Sequence, residues 1–233
     1  MSARRSTPAA EAASGAADPR ADRSRTLAER LRLIVVTDTG LAAPRSVQDV
    51  VAEALQAGAP AVQLRDKRAP ARELLRLGRT LGALTHEAGA LFFVNDRLDV
   101  ALALGADGVH VGPEDLPVAA VRAAAPKGFL IGCSADDAEV AARAVADGAD
   151  YIGCGTVFRT STKADAGSPI GTKGLDRVAR SVSVPVVGIG GITPDRMREV
   201  AATAAAGVAL VGAVMGARDV GAVVRAVLGA WAR

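Results

Sequence analysis

The sequence predicts an α/β protein built as a single closed (β/α)8 barrel of the TIM type, and three observations carry that prediction. Short, near-continuous apolar runs alternate strictly with segments of helical periodicity, which indicates parallel strands covered on both faces. Glycines and polar residues gather just after each apolar run, where such a barrel keeps its chemistry. The length of 233 residues suits one domain of this kind. A doubly wound open sheet could use the same alternation, but eight repeats favour closure.

In order, residues 1–28 are rich in Ala, Ser, Arg and Asp without apolar periodicity and are expected to be a disordered tail, leaving 29–233 as the barrel domain. Leu33 to Asp38 reads as strand one, and Ser46 can cap a helix through Val50, Val51, Ala54 and Leu55. Strand two is expected over Ala61–Lys67, with a helix from Arg72 to about Glu87. Strand three is Leu91–Asp96, followed by a short helix over Leu98–Leu104. Strand four is Gly108–Gly112, with a helix around Val118–Ala125. Strand five is Phe129–Cys133, and its helix runs from Asp136 or Asp137 to Ala146. Strand six is Tyr151–Val157, then a long loop, then a helix around Leu175–Arg180. Strand seven is Val184–Ile189, with Thr193 as N-cap and Pro194 at the first helical position. Strand eight is Val208–Val211, and a last helix covers roughly Val220–Leu228.

Composition narrows the function classes. Half the residues are hydrophobic but only 3% are aromatic, so the core must be aliphatic. The net charge of +3 and pI near 9.2 invite a nucleic-acid reading. Residues 1–32 carry that entire excess, seven Arg against Glu11, Asp18, Asp22 and Glu29, so the remainder is neutral and offers no basic face for nucleic acid. Cys133 and Cys154 lie in separate strands without metal-type spacing and read as reduced cysteines of a cytoplasmic protein. No hydrophobic run follows the basic N-terminus, and the uncharged stretch Val200–Ala217 divides into a helix end and a short strand, so no membrane segment is expected.

The chemistry begins at Gln63, Arg65 and Lys67. Their spacing puts an amide, a guanidinium and an ammonium on one face of a strand, costly unless something anionic meets them, as a polyphosphate would. The plain alternative is a strand end whose cations reach water. Asn95 and Asp96 end strand three, Asp115 follows strand four and Ser134 ends strand five. Neighbouring strands lie about 5 Å apart, so Asp96 and Asp115 can approach one Mg²⁺ that also holds substrate phosphates. Helix capping is the alternative for each carboxylate, and a serious one for Asp96. The loop from Arg159 to Gly171 lacks apolar periodicity and suggests a binding loop or lid, with hydroxyls on Thr160, Ser161 and Thr162 and a charge on Lys163. Only four of the 28 basic residues are lysines, which makes Lys67 and Lys163 less ordinary as surface charges. Gly190-Gly191 after strand seven and Val211-Gly212 after strand eight suit a phosphate monoester. His110 reads as structural or supporting, and His86 as surface.

Together Gln63–Lys67, Val94–Arg97, Ala106–Gly112 with Glu114-Asp115, Ile131–Ser134, Asp150–Gly153, Thr160–Lys163 and Ile189–Ile192 resemble the thiamine-phosphate synthase family, in the right order over residues 33–215. The resemblance implies a (β/α)8 barrel transferase, with hydroxymethylpyrimidine diphosphate and a thiazole phosphate as substrates and thiamine phosphate and pyrophosphate as products. It implies that Gln63, Arg65, Lys67, Asn95, Ser134 and Lys163 hold the pyrimidine diphosphate, with Lys163, Ser134 and Arg65 taking part in catalysis. Asp96 and Asp115 would hold Mg²⁺, and Thr160, Ser161, Thr162, Gly191, Val211 and Gly212 the thiazole phosphate. The implied chemistry is dissociative: pyrophosphate leaves, a pyrimidine-stabilised carbocation forms, and the thiazole nitrogen attacks it. Pro113 and Thr156 stand where Gln and Pro are common, Arg159 where Pro is common, and Gly212 where Ser is common, which removes one hydroxyl from the thiazole-phosphate clamp. The rival readings are a related thiazole tautomerase, which lacks the complete diphosphate set, and a non-catalytic ligand-binding barrel. Homo-oligomerisation is left open.

Overall fold

The computed structural model describes residues 26–160 and 168–231. Eight strands close in sequence order, every neighbouring pair parallel and β1 paired with β8: β1 Leu33–Val36, β2 Ala61–Leu64, β3 Leu91–Asn95, β4 Gly108–Val111, β5 Leu130–Ser134, β6 Tyr151–Cys154, β7 Val186–Ile189 and β8 Gly207–Leu210. The helices are α1 Leu27–Arg30, α2 Thr39–Ala42, α3 Val47–Gln56, α4 Ala71–Glu87, α5 Leu98–Leu104, α6 Val118–Ala124, α7 Ala138–Ala146, α8 Gly171–Ser181, α9 Met197–Ala201, α10 Gly212–Met215 and α11 Val220–Gly229, with a 3-10 turn at Pro194–Arg196 before α9. The expected closed barrel is borne out.

Alternation along the strands divides the core in two. Ile34, Val36, Ala61, Leu91, Phe93, Tyr151, Val187 and Ala209 fill the barrel, while Leu33, Val35, Val62, Leu64, Phe92 and Val94 face the helices. Phe93 and Tyr151 meet edge to face inside it, centroids 5.4 Å apart. The same parity sends Gln63, Asn95, His110 and Ser134 toward the mouth, which follows from strand geometry alone.

Several boundaries move from their expected places. Strand two stops at Leu64 rather than Lys67, because the Arg65 backbone bonds the Thr37 side chain instead of a neighbouring strand. α8 starts at Gly171, four residues early; glycines at 171 and 174 in its first turn obscured its periodicity. The short α2 and α10 went unforeseen. Ser46 does cap α3, accepting from the Asp49 N–H, and Pro194 does open its turn, but the Thr193 side chain makes no cap bond and holds Asp195 instead. The expected tail boundary at 28 falls inside α1, which Thr26 and Glu29 close with a reciprocal capping box. Leu27 packs on the barrel-filling cluster and Leu31 is part of it. Residues 1–25 lie outside the described residues. Among the described residues no helix is long and apolar enough to cross a membrane.

Candidate active site

The rim at the C-terminal ends of the strands gathers most of the expected residues. Arg65 and Lys67 sit in the loop after β2. The Lys67 Nζ lies 3.8 Å from Asp96 Oδ2, and the Arg65 guanidinium 3.7 Å from Asp38 Oδ2. Asp96 takes φ of 62°, a left-handed conformation uncommon for a residue with a side chain, immediately after β3. It does not cap α5: the N-cap position belongs to Arg97 and carries no side-chain cap bond. Asp115 does not cap α6 either, since Pro117 holds that place. Its Oδ2 accepts from the Gly112 N–H at 2.7 Å, which closes the turn after β4 and presents the carboxyl to the rim.

The Asp115 carboxyl lies close enough to Asp96 to bear on its charge. Burial, then the bond to Asp115 and its charge, push Asp96 up to about 6 against the opposing pull of Lys67 and Arg65. A dication there would compete with the proton on Asp96. Two carboxylates beside cationic side chains would suit a Mg²⁺ ion that takes its remaining ligands from outside the protein, though no group of three metal-binding side chains exists among the described residues.

Opposite these residues, Gly190 and Gly191 have φ of 96° and 64°. A Cβ on Gly191 would stand 2.6 Å from the carbonyl oxygens of Phe158 and Arg159, so glycine is required where the loop after β6 crosses the loop after β7. Arg196 stacks over Phe158 at 4.3 Å and fastens the same crossing. The chain returns from the β6 loop through bonds of the Ile170 and Gly171 N–H groups to the Thr156 and Val157 carbonyls. Val211 precedes the short α10, whose Val214 and Met215 N–H groups close onto the Val211 carbonyl, at the strand-eight end where barrels of this type often hold phosphate. Thr160 lies at the end of the described part of the loop; Ser161, Thr162 and Lys163 lie outside the described residues.

Deeper in the mouth, His110 Nε2 is 3.0 Å from Ser134 Oγ and Nδ1 is 3.1 Å from the Tyr151 hydroxyl, which also bonds Gln63. Burial lowers His110 to about 4, against the pull of Asp115, so its ring is neutral near pH 7. The supporting role expected of His110 thus acquires partners, and His86 is exposed as expected. Cys154 is buried and its thiol pushed up to about 12 by burial; Cys133 and Cys154 are both free.

Sequence reasoning missed Thr37, Asp38 and Tyr151. Thr37 and Asp38 carried the signal that found the others, polar residues at the C-terminal end of an apolar strand. Tyr151 opens its strand at the far end from the rim, and only its length brings the hydroxyl up to His110.

Fold and rim together define a (β/α)8 barrel with a candidate site at its C-terminal face. The sequence profile described as thiamine monophosphate synthase (TMP-TENI) matches residues 33–214. The thiamine-phosphate synthase of Moorella thermoacetica is 50% identical over 193 residues, covering 83% of this chain and 92% of that protein. That of Pyrococcus furiosus is 50% identical over 194 residues, covering 83% and 91%. A solved structure of thiamine phosphate pyrophosphorylase from Pyrococcus furiosus superposes with a TM-score of 0.82 at 45% identity, over 89% of this chain and 98% of that one. A 3-hexulose-6-phosphate synthase, 20% identical with a TM-score of 0.63, shares the fold alone. The chain belongs to the thiamine monophosphate synthase family, and with it to the transferases.

Proposed function

We propose that this enzyme joins 4-amino-2-methyl-5-hydroxymethylpyrimidine diphosphate to a thiazole phosphate, releasing thiamine phosphate and pyrophosphate by a Mg²⁺-assisted dissociative route. The observation that carries the reading is the pair Asp96 and Asp115 brought close together at the rim, with Lys67 3.8 Å from Asp96 and Arg65 close by. Such a cluster is complementary to a diphosphate and a dication together.

Arg65 and Lys67 bind the diphosphate oxygens, Asn95 and Ser134 line the same side, and Gln63 reaches the pyrimidine from below. Mg²⁺ held by Asp96 and Asp115 would neutralise charge building on the leaving pyrophosphate. The cations of this chain do the same from the other side, stabilising the leaving group more as its bond to the pyrimidine methylene carbon breaks. Lys163 adds a further charge there. Gly191, Val211 and Gly212, with Thr160, Ser161 and Thr162, hold the thiazole phosphate so that the thiazole nitrogen faces the carbon being vacated. The attacking nitrogen carries no proton, so the reaction needs no general base.

The test is to combine purified protein with both substrates and Mg²⁺ and to assay both products. Equal amounts of thiamine phosphate and pyrophosphate, and none with EDTA, are expected. Lys163→Ala should lower kcat far more than it raises the KM for thiazole phosphate. Binding of both ligands without either product, by well-folded protein with metal present, would make the chain a ligand-binding barrel instead.

A further inference from the structure

The bonds of His110 have a polarity that bears on how Ser134 meets its ligand. A neutral imidazole carries one ring proton, so one nitrogen donates and the other accepts. With the proton on Nδ1, His110 donates to the Tyr151 oxygen and Nε2 must accept from Ser134. The Ser134 proton is then spent inside the barrel, and only oxygen lone pairs face the site. With the proton on Nε2, His110 donates to Ser134 Oγ and Nδ1 accepts from the Tyr151 hydroxyl, while the Tyr151 oxygen accepts from the Gln63 amide. Ser134 is then free to donate outward. The oxygens of a diphosphate only accept, so a serine that serves them has to be a donor.

The barrel makes room for this ring specifically. A Cβ on Gly153 would stand 2.7 Å from His110 Cε1, and one on Gly132 would overlap the Tyr151 ring. Two strand glycines thus vacate the space that the imidazole and phenol occupy. Tyr151 is 1% exposed, so its hydroxyl has no access to bulk water and depends on His110 and Gln63 for its bonds.

We propose that His110 is a positioning residue, held as the Nε2–H tautomer by Tyr151, which turns the Ser134 hydroxyl proton toward the anionic oxygens of the pyrimidine diphosphate. This rests on the reading of Ser134 as a contact to that substrate. His110 itself need not touch the substrate.

Two amide substitutions separate its nitrogens. In His110→Gln the terminal amide nitrogen takes the place of Nε2 and can still donate to Ser134. In His110→Asn the amide reaches only the Nδ1 position, beside Tyr151. His110→Asn should raise the KM for the pyrimidine diphosphate, or lower kcat, about tenfold, the effect of one lost hydrogen bond. The KM for thiazole phosphate should stay within about twofold, and His110→Gln should recover most of the loss. Ser134→Ala added to His110→Asn should cost little more, because both remove the same donor. The ¹⁵N resonances of His110 in the free protein should show Nε2 protonated. The proposal is overturned by a protonated Nδ1, by independent multiplication of the Asn and Ala effects, or by parallel rises in both KM values that follow the melting temperature. If the unsubstituted protein made no product, the synthase reading would fail, and the ¹⁵N measurement would still decide the tautomer.

Discussion

The Thr37 hydroxyl donates to the Arg65 carbonyl at 3.0 Å and accepts from the Arg65 N–H at 2.8 Å, so one buried side chain replaces a strand partner at the point where β2 ends. Asp38 and Thr39 extend the clamp. Asp38 faces the Arg65 guanidinium while capping α2 through the Leu41 N–H, and Thr39 bonds Asp66, which itself holds the Arg68 and Ala69 N–H groups. The loop after β1 thereby shapes the segment proposed to bind diphosphate. Thr37→Val keeps the shape and removes both bonds, leaving two backbone groups of Arg65 unsatisfied. It should destabilise by about 1–3 kcal/mol and raise the KM for the pyrimidine diphosphate. Denaturant unfolding and steady-state kinetics check both; unchanged kinetics with lowered stability would confine Thr37 to a structural role.

Asp96→Asn and Asp115→Asn should each abolish Mg²⁺-dependent turnover with little change in melting temperature. An Asn at 115 can still accept from the Gly112 N–H and keep the turn closed. Titration with Mg²⁺ should show affinity lost in both variants. Full activity in either would remove that residue from the metal site.

The raised Asp96 predicts a pH dependence with a definite sign. A carboxyl whose folded value is about 6 against an ordinary 3.8 favours the folded state below the lower value, and that contribution is lost as pH rises through 6. Metal-free protein should therefore lose stability from this group between about pH 4 and 6, and Asp96→Asn should flatten that slope. Mg²⁺ competes with the same proton, so its apparent affinity should fall by up to about tenfold per pH unit below 6. Melting curves with and without Mg²⁺ across this range measure both. A slope unaltered by Asp96→Asn would place its origin elsewhere.

Removing residues 1–25 should leave activity and melting temperature unchanged, since the Thr26–Glu29 capping box stays intact. Removing residues 1–32 takes away Leu27 and the fully buried Leu31 and should cost at least the ~2–5 kcal/mol typical of one lost core leucine. Thermal melts of the two truncations distinguish these outcomes. A large loss in the shorter truncation would show that residues 1–25 contribute to the folded protein.

The sequence alone determined the barrel and most of its rim, because both follow from short-range rules. Alternation of period two, repeated eight times with polar residues at one end, leaves little freedom in where Gln63, Asn95 and Ser134 must point. It also determined the family, through motifs each confined to a few consecutive residues. The tertiary structure decided what depends on distance across the closed sheet. In the sequence Asp96 and Asp115 each carry helix capping as an alternative, a serious one for Asp96, and the left-handed turn at Asp96 and the Asp115–Gly112 bond bring them together instead. Thr37 and Arg65 are 28 residues apart, and no local pattern marks a hydroxyl that substitutes for a strand. His110 lacked a visible partner because Tyr151 enters from the opposite end of β6, 41 residues along the chain. Strand pairing joins them: parallel register sets Gly132 beside both His110 and Tyr151, and the absence of a side chain there lets the two rings meet.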